Sequence, residues 1–185
     1  LMVIAGCRGR LPEDLAGDTP VGAVQRLLFA MLTAEADASS IAKLFASATY
    51  GDDVTGPELE LLAMQLAGLR RAAPRLGGSL PMARDQLLSL TRFTADGSPA
   101  VGYRVSGLLE GPGGAVPSVW FVVRERGAYR VRAALASPSA LGEEALALAK
   151  RGKTGAARQW LAWARELMSG TEAPQDPLRR PPFMV

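Results

Sequence analysis

The sequence predicts an α+β fold, with N-terminal helices packed on a curved antiparallel sheet of about four strands and a C-terminal α-hairpin. Changes in hydrophobic period predict this order. Apolar residues recur at helical spacing up to about residue 85, alternate with polar residues up to about 135, and return to helical spacing after 137. The turns between the alternating segments are too short for parallel crossovers, so the strands are expected to be antiparallel.

The N-terminal part predicts three helices. The first begins at Thr19 and Pro20, an N-cap residue followed by a residue suited to the first helical position. A second, short helix is expected over 41–48, and a third over 55–71. The third ends with Arg70 and Arg71, whose positive charges suit the C-terminal end of a helix dipole. The Pro and Gly residues within 74–81 predict a loop.

Period-two alternation from Leu88 onward predicts the sheet, with a tight turn at Arg126 and Gly127. One side of the strands is nearly all hydrocarbon and is expected to face inward: Leu88, Leu90, Val101, Tyr103, Val105, Val119, Phe121, Val123, Tyr129 and Val131. The other side is expected to carry Arg104, Trp120, Val122, Arg124, Arg130 and Arg132.

The C-terminal segment predicts two helices, the first begun by Ser137-Pro138 and ended by Gly152, the second carrying Trp160 and Trp163. The predicted organisation is a signal remnant or tether (1–18), an α+β domain (19–135), a helical hairpin (137–170) and a flexible tail (171–185).

The composition excludes several chemistries. With no histidine, the chain holds no Ser-His-Asp triad, no Cys-His dyad and no histidine-based metal site. Its single cysteine excludes an internal disulfide and a cysteine zinc cluster. The net charge of +3 is mild, so nucleic-acid binding is not expected. We expect no metal and no cofactor, and no apolar run reaches the roughly 18 residues of a membrane span.

The stretch Ile4-Ala5-Gly6-Cys7 resembles the bacterial lipobox. That resemblance implies acylation of the Cys7 thiol and a periplasmic or outer-membrane-associated lipoprotein. Only six residues precede Cys7, whereas a signal peptide needs an apolar region of about 7–15 residues. A chance match in a cytoplasmic protein is therefore the alternative.

Three helices followed by a meander that ends VWFVVRERGAYRVRAAL resemble the nuclear-transport-factor-like, or cystatin-like, superfamily. The start, TPxxAVxxLLxAL in small exported bacterial members, is matched from Thr19 to Leu32. The resemblance covers 19–135 and implies a cone-shaped sheet around the helices. The hairpin is similar to one tetratricopeptide repeat, through Gly152, Ala157, Leu161 and Ala164. A single repeat cannot bury its own face, so the hairpin is expected to pack on the cone or to continue an array.

Enzymatic members of the cone superfamily hold an acid, a base or a tyrosine inside the cone. Tyr103, Phe121 and Tyr129 form the candidate pocket here, in which the Tyr103 hydroxyl could donate to an oxyanion. No predicted strand places a carboxylate on that face to act as general base, so the sequence predicts no enzyme. The alternative is a small hydrolase or isomerase that uses Tyr103 with an acid from a loop.

The candidate interaction face could bind an anionic partner by stacking guanidinium on indole; it comprises Arg104, Trp120, Arg124, Arg130 and Arg132. It could also form a dimer surface, seat the hairpin, whose Trp160 and Trp163 need cover, or be an ordinary solvated face. We expect a non-catalytic binding or scaffolding module of an exported bacterial protein, with a protein partner or self-association. An excised accessory domain of a larger repeat-containing protein is a further alternative.

Overall fold

A computed structural model describes residues 18–46, 49, 56–111, 114–133 and 138–170. Cys7, the rest of the predicted tether up to residue 17 and the predicted tail 171–185 lie outside these residues. The described part is an α+β fold in which five helices precede a four-stranded antiparallel sheet and two helices follow it. The predicted fold class is therefore confirmed.

Three of the helices described before the sheet begin at a residue whose side chain caps the helix: Thr19, Asp37 and Ser79. The Thr19 hydroxyl accepts a hydrogen bond from the Gly22 N–H at 2.9 Å, which caps the first helix as predicted. The five are α1 (Pro20–Met31), α2 (Ala38–Ala42), α3 (Gly56–Ala72), α4 (Pro74–Gly77) and α5 (Leu80–Leu90).

Three predictions for this half are wrong. The expected loop at 74–81 is mostly helical, because Ser79 caps α5 by accepting the Met82 N–H at 3.3 Å and Pro81 lies in the first turn of that helix. Leu88 and Leu90 consequently belong to α5 and not to a strand. The second helix, expected over 41–48, ends at Ala42.

The sheet is a simple meander with strand order β1-β2-β3-β4, and its strands are β1 (Thr91–Ser98), β2 (Gly102–Gly111), β3 (Gly114–Glu125) and β4 (Ala128–Ala133). Arg126 and Gly127 make the predicted two-residue turn, with φ values of 50° and 84° that a type I′ hairpin requires. After α2, Phe45 pairs in parallel with Val131 and covers part of the β4 edge.

The last two helices, α6 (Pro138–Lys150) and α7 (Thr154–Gly170), form the predicted hairpin. Gly152, with φ of 75°, ends α6 in a left-handed conformation. The Lys153 N–H donates to the Leu148 carbonyl and the Gly152 N–H to the Ala149 carbonyl, both at 2.9 Å. This arrangement satisfies carbonyls that the helix end would otherwise leave free.

Helices cover both faces of the sheet. On one face, α1 contacts all four strands and forms a core of fully buried side chains, which are Val24, Leu27, Ile41, Val105, Val122 and Val131. On the other face lies the hairpin, through a second buried cluster around Phe121, Trp160 and Trp163. The described residues therefore form three layers, helices on sheet on hairpin.

Candidate functional site

The pairing of β2 with β3 decides which side chains share a face of the sheet. Val105 lies opposite Trp120, and Arg104 lies opposite Phe121. Because opposite residues of antiparallel strands point to the same side, Trp120 faces α1 and Phe121 faces the hairpin. The predicted alignment of β3 is therefore wrong by one residue, and such a slip moves every side chain of a strand to the other face.

Trp120 does not belong to the candidate interaction face. Its side chain is only 8% exposed, and its ring lies 5.9 Å from that of Phe93 within the core on the α1 side. The sequence of β3 explains the error. The run VWFVV is apolar on both faces, so no alternation of polar and apolar residues shows which side chains face which side. An unbroken apolar run is itself the signal of a strand that is buried on both sides.

The hairpin is seated on the sheet by three aromatic rings. The ring centroids of Phe121, Trp160 and Trp163 lie 5.5–5.6 Å from one another in tilted or edge-on geometry. The Trp160 indole N–H also donates to the Val101 carbonyl at 2.7 Å. The sheet thus provides the cover that both tryptophans of the hairpin need.

Gly102 makes room for this contact. Its φ is 106°, and a Cβ there would lie 2.9 Å from Cζ2 of Trp160. A larger residue would be strained in its backbone and would also collide with the indole ring, so this position requires glycine.

Two arginines of the candidate interaction face bind carboxylates of the hairpin. Nε of Arg132 lies 2.8 Å from Oε2 of Glu144, and the two side chains are 8% and 10% exposed. Arg104 pairs with Glu166 nearer the surface, and its Nε is buried with no hydrogen-bond partner among the described residues. These guanidiniums fasten the hairpin to the sheet.

The other two arginines of that predicted face also bind within the chain. Arg130 donates to the Lys43 carbonyl at 2.8 Å. Arg124 lies on the α1 side of the sheet, 5.4 Å from the centre of the Tyr129 ring and 3.9 Å from the Asp18 carboxylate. The predicted five-residue surface therefore does not exist as one face, and its arginines are engaged internally.

The candidate pocket is also divided by the sheet. Tyr103 and Tyr129 contact edge-to-face with centroids 5.6 Å apart, whereas Phe121 lies on the opposite face. Including Phe121 in one pocket with them is therefore wrong. Burial, followed by a hydrogen bond with Tyr129, raises the pKa of Tyr103 above its ordinary value of 10.0.

Tyr103 is suited to donate a hydrogen bond and not to accept a proton. A raised pKa keeps the Tyr103 phenol neutral, which suits a donor and opposes a tyrosinate base. Asp18 reaches this end of the sheet, where its carboxylate accepts the Tyr129 N–H at 3.1 Å. Asp18 was predicted to lie in a tether, and no sequence pattern indicated this contact. Within the described ranges, no cluster of three or more His, Cys, Asp or Glu side chains could hold a metal ion.

A second candidate site lies on the outward side of α3. Leu61 and Met64 are 53% and 64% exposed there, although both are large and apolar. We define the α3 outer face as Glu60, Leu61, Met64, Ala67, Gly68 and Arg71. Leu62 and Leu66 are the buried residues of this helix and lie on its inward side. The sequence of α3 also contains a second apolar stripe on the opposite side, and this stripe was not predicted.

Comparison with protein-family models, with curated proteins and with solved structures finds no match for this chain. The resemblances to the cone superfamily and to a tetratricopeptide repeat therefore stay predictions. None of the helices that the structure describes is long and apolar enough to cross a bilayer.

Proposed function

We propose that this chain is a non-catalytic binding or scaffolding module. In the superfamily that it resembles, enzymes work inside a cone formed by the sheet. Here Val105, Val122 and Val131 are fully buried on one face, and the aromatic cluster fills the other. A packed helical layer covers the centre of each face, which disfavours a reaction at the middle of the sheet.

The α3 outer face is the observation that carries the proposal. The arginines expected to bind a partner are engaged within the chain, which leaves the helix surfaces for recognition. Leu61 and Met64 lie one turn apart on one side of α3, so their exposed surface is contiguous. Apolar surface that is gathered in one place, rather than scattered, marks an interaction site.

A photo-crosslinking amino acid at position 64, expressed in the host cell, tests this proposal. We expect a covalent adduct at position 64 and none at position 82, where Met82 is a matched exposed methionine on α5. Equal adducts at both positions, or none at either, would reject α3 as the binding surface.

We also propose that the protein is exported and lipid-anchored at Cys7, on the strength of the lipobox-like stretch that ends there. Metabolic labelling with palmitate should mark the wild-type protein and should fail to mark Cys7→Ser. Absence of label from the wild type, or a label that survives the substitution, would remove the anchor from the proposal.

A small enzyme is the second candidate, favoured only by the tyrosine pair beside Arg124 and Asp18. If the Tyr103 hydroxyl stabilises an oxyanion, hydrolysis of a small ester such as p-nitrophenyl acetate should fall in Tyr103→Phe. Equal rates for the wild type and this variant would reject that role.

A further inference from the structure

We infer that the α3 outer face binds a second copy of this chain, with the two α3 helices antiparallel about a twofold axis. The inference deepens the proposed binding function and rests on it, because it names the partner of the same surface. It is carried by the direction in which Met64 points, by Gly68, and by the charges at the two ends of the face.

Met64 points directly away from the core. At 3.6 residues per turn, position 64 lies on the side of the helix opposite Leu62 and Leu66, which are the buried residues of α3. A helix with one buried side ordinarily carries polar residues at that outermost position. Here the position holds a methionine that is flanked by Leu61 and Gly68, so the middle of the outward side of the helix is apolar.

Gly68 has no function within the chain that the structure shows. A Cβ built at this position meets nothing within 4 Å, and its φ is not in the left-handed region. Glycine inside a helix destabilises it relative to alanine, so some other requirement favours its presence. A second helix that packs closely supplies one, because interaxial distance depends on the size of the side chains at the contact. Ala67, the exposed neighbour of Gly68, also leaves room for a close approach.

The charges select an antiparallel copy of the same helix. Glu60 lies near the start of the face and Arg71 near its end, and both side chains are exposed. Within the part of the chain that the structure describes, neither takes part in an ion pair. In an antiparallel pair, Glu60 of each copy meets Arg71 of the other, and Met64 lies over the small residue Ala67. A parallel pair would oppose like charges.

This geometry produces a closed dimer and not a chain of subunits. The same patch serves on both partners, as a twofold interface requires. A single pair of helices lies at the small end of stable interfaces, so we expect reversible association that is visible at about 10–200 µM protein.

Sedimentation equilibrium of the full chain over that range tests the inference. The wild type should fit a monomer–dimer equilibrium, and Met64→Glu should weaken the dimer at least about tenfold because the change occurs twice in the interface. Met82→Glu, which makes the same change on α5, should leave the dimer unaltered. A wild-type monomer at every concentration, or a dimer that tolerates Met64→Glu, would overturn the inference.

Charge exchange tests the antiparallel geometry. Glu60→Arg and Arg71→Glu should each weaken the dimer, and the double variant should restore it. Circular dichroism of each variant reports whether the monomer remains folded. Failure of the double variant to recover, with intact folding, would reject the pairing.

The crosslink at position 64 separates this inference from the proposed function. An adduct of twice the mass of the chain supports both. An adduct of another mass, with a protein that is monomeric in solution, overturns the dimer and leaves the binding function standing. A monomeric protein without any adduct overturns both.

Discussion

The two faces of the sheet are covered by helical layers that are attached in different ways. On the α1 face, aliphatic side chains such as Val24 and Leu27 meet Val105 and Val122. On the hairpin face, large aromatic rings are framed by directional bonds, of which the Arg132–Glu144 pair is the most buried. Hydrophobic burial has no preferred direction, whereas hydrogen-bonded ion pairs have one. Burial therefore attaches both layers, while polar bonds orient the appended hairpin.

On the α1 side, Arg70 makes a cluster of hydrogen bonds that lies away from the sheet. The Arg70 guanidinium of α3 donates to four backbone carbonyls at and beyond the end of α1, at 2.7–3.3 Å: Ala30, Met31, Ala34 and Ala36. These bonds tie α3 to the end of α1, where the last helical carbonyls have no i+4 donor within the helix. An arginine thus joins helix to helix on this side, and sheet to helix on the other.

The largest expected effect on stability comes from removing the ion pair between the sheet and the hairpin. Glu144→Ala leaves the Arg132 guanidinium buried without its carboxylate, and we expect the free energy of unfolding to fall by about 3–5 kcal/mol. Urea unfolding followed by circular dichroism measures the change. Glu143→Ala, at an exposed neighbouring position on α6, should stay within about 0.5 kcal/mol of the wild type.

Replacing both partners of the ion pair shows whether the loss of stability comes from the unpaired charge or from packing. Arg132→Met combined with Glu144→Leu removes both charges and should recover most of the loss, because the cost arises from one unpaired ion. A double variant as unstable as Glu144→Ala would show that the loss reflects packing and not charge.

The next largest effect tests the α1 side. Arg70→Met removes the donor to four carbonyls while it keeps much of the side-chain volume, and should lower the free energy of unfolding by about 1.5–3 kcal/mol. The same urea experiment measures it, with Arg75→Met at an exposed position of α4 as control. Equal stability of Arg70→Met and Arg75→Met would contradict the role assigned to Arg70.

A smaller effect distinguishes the two ion pairs of the hairpin. The Arg104 and Glu166 side chains are 33% and 59% exposed, so Arg104→Ala should cost less than about 1 kcal/mol. Removing the buried Nε that lacks a partner offsets part of that cost. Unfolding at about 0.1 and 1 M salt should bring the variant and the wild type together. A loss as large as that of Glu144→Ala would contradict this ranking.

The smallest effect concerns the tyrosine pair on the α1 face. Because the pKa of Tyr103 is raised, the native state favours the neutral phenol. Its contribution to stability is complete below the ordinary pKa of 10.0 and is lost as the pH rises through the higher native value. In an absorbance titration of tyrosinate, the component that ionises above the ordinary tyrosine pKa should be absent from Tyr103→Phe. Persistence of that component in Tyr103→Phe would reject the raised pKa.

Several features of the fold followed from neighbours in the chain. Thr19 and Pro20 began α1 through a side-chain cap, and Gly152 ended α6 because its φ is positive. The same local chemistry was present at Ser79 and Pro81, where the density of Pro and Gly favoured a loop and the cap nevertheless began a helix. The candidate site depended on contacts between strands that local sequence does not specify: Tyr103 and Tyr129 are in contact, whereas Phe121 lies on the opposite face.

By itself, the sequence determined the α+β class, the four-stranded meander and the helical hairpin, since periodicity, caps and tight turns act over a few residues. Only the tertiary structure decided the face on which each side chain of β3 lies. The run VWFVV is compatible with either orientation of the strand, because its residues are apolar on both faces. The orientation depends on which helices pack on each face. The tertiary structure likewise decided that Arg132 meets Glu144, because two charges on different elements pair only after the hairpin is seated.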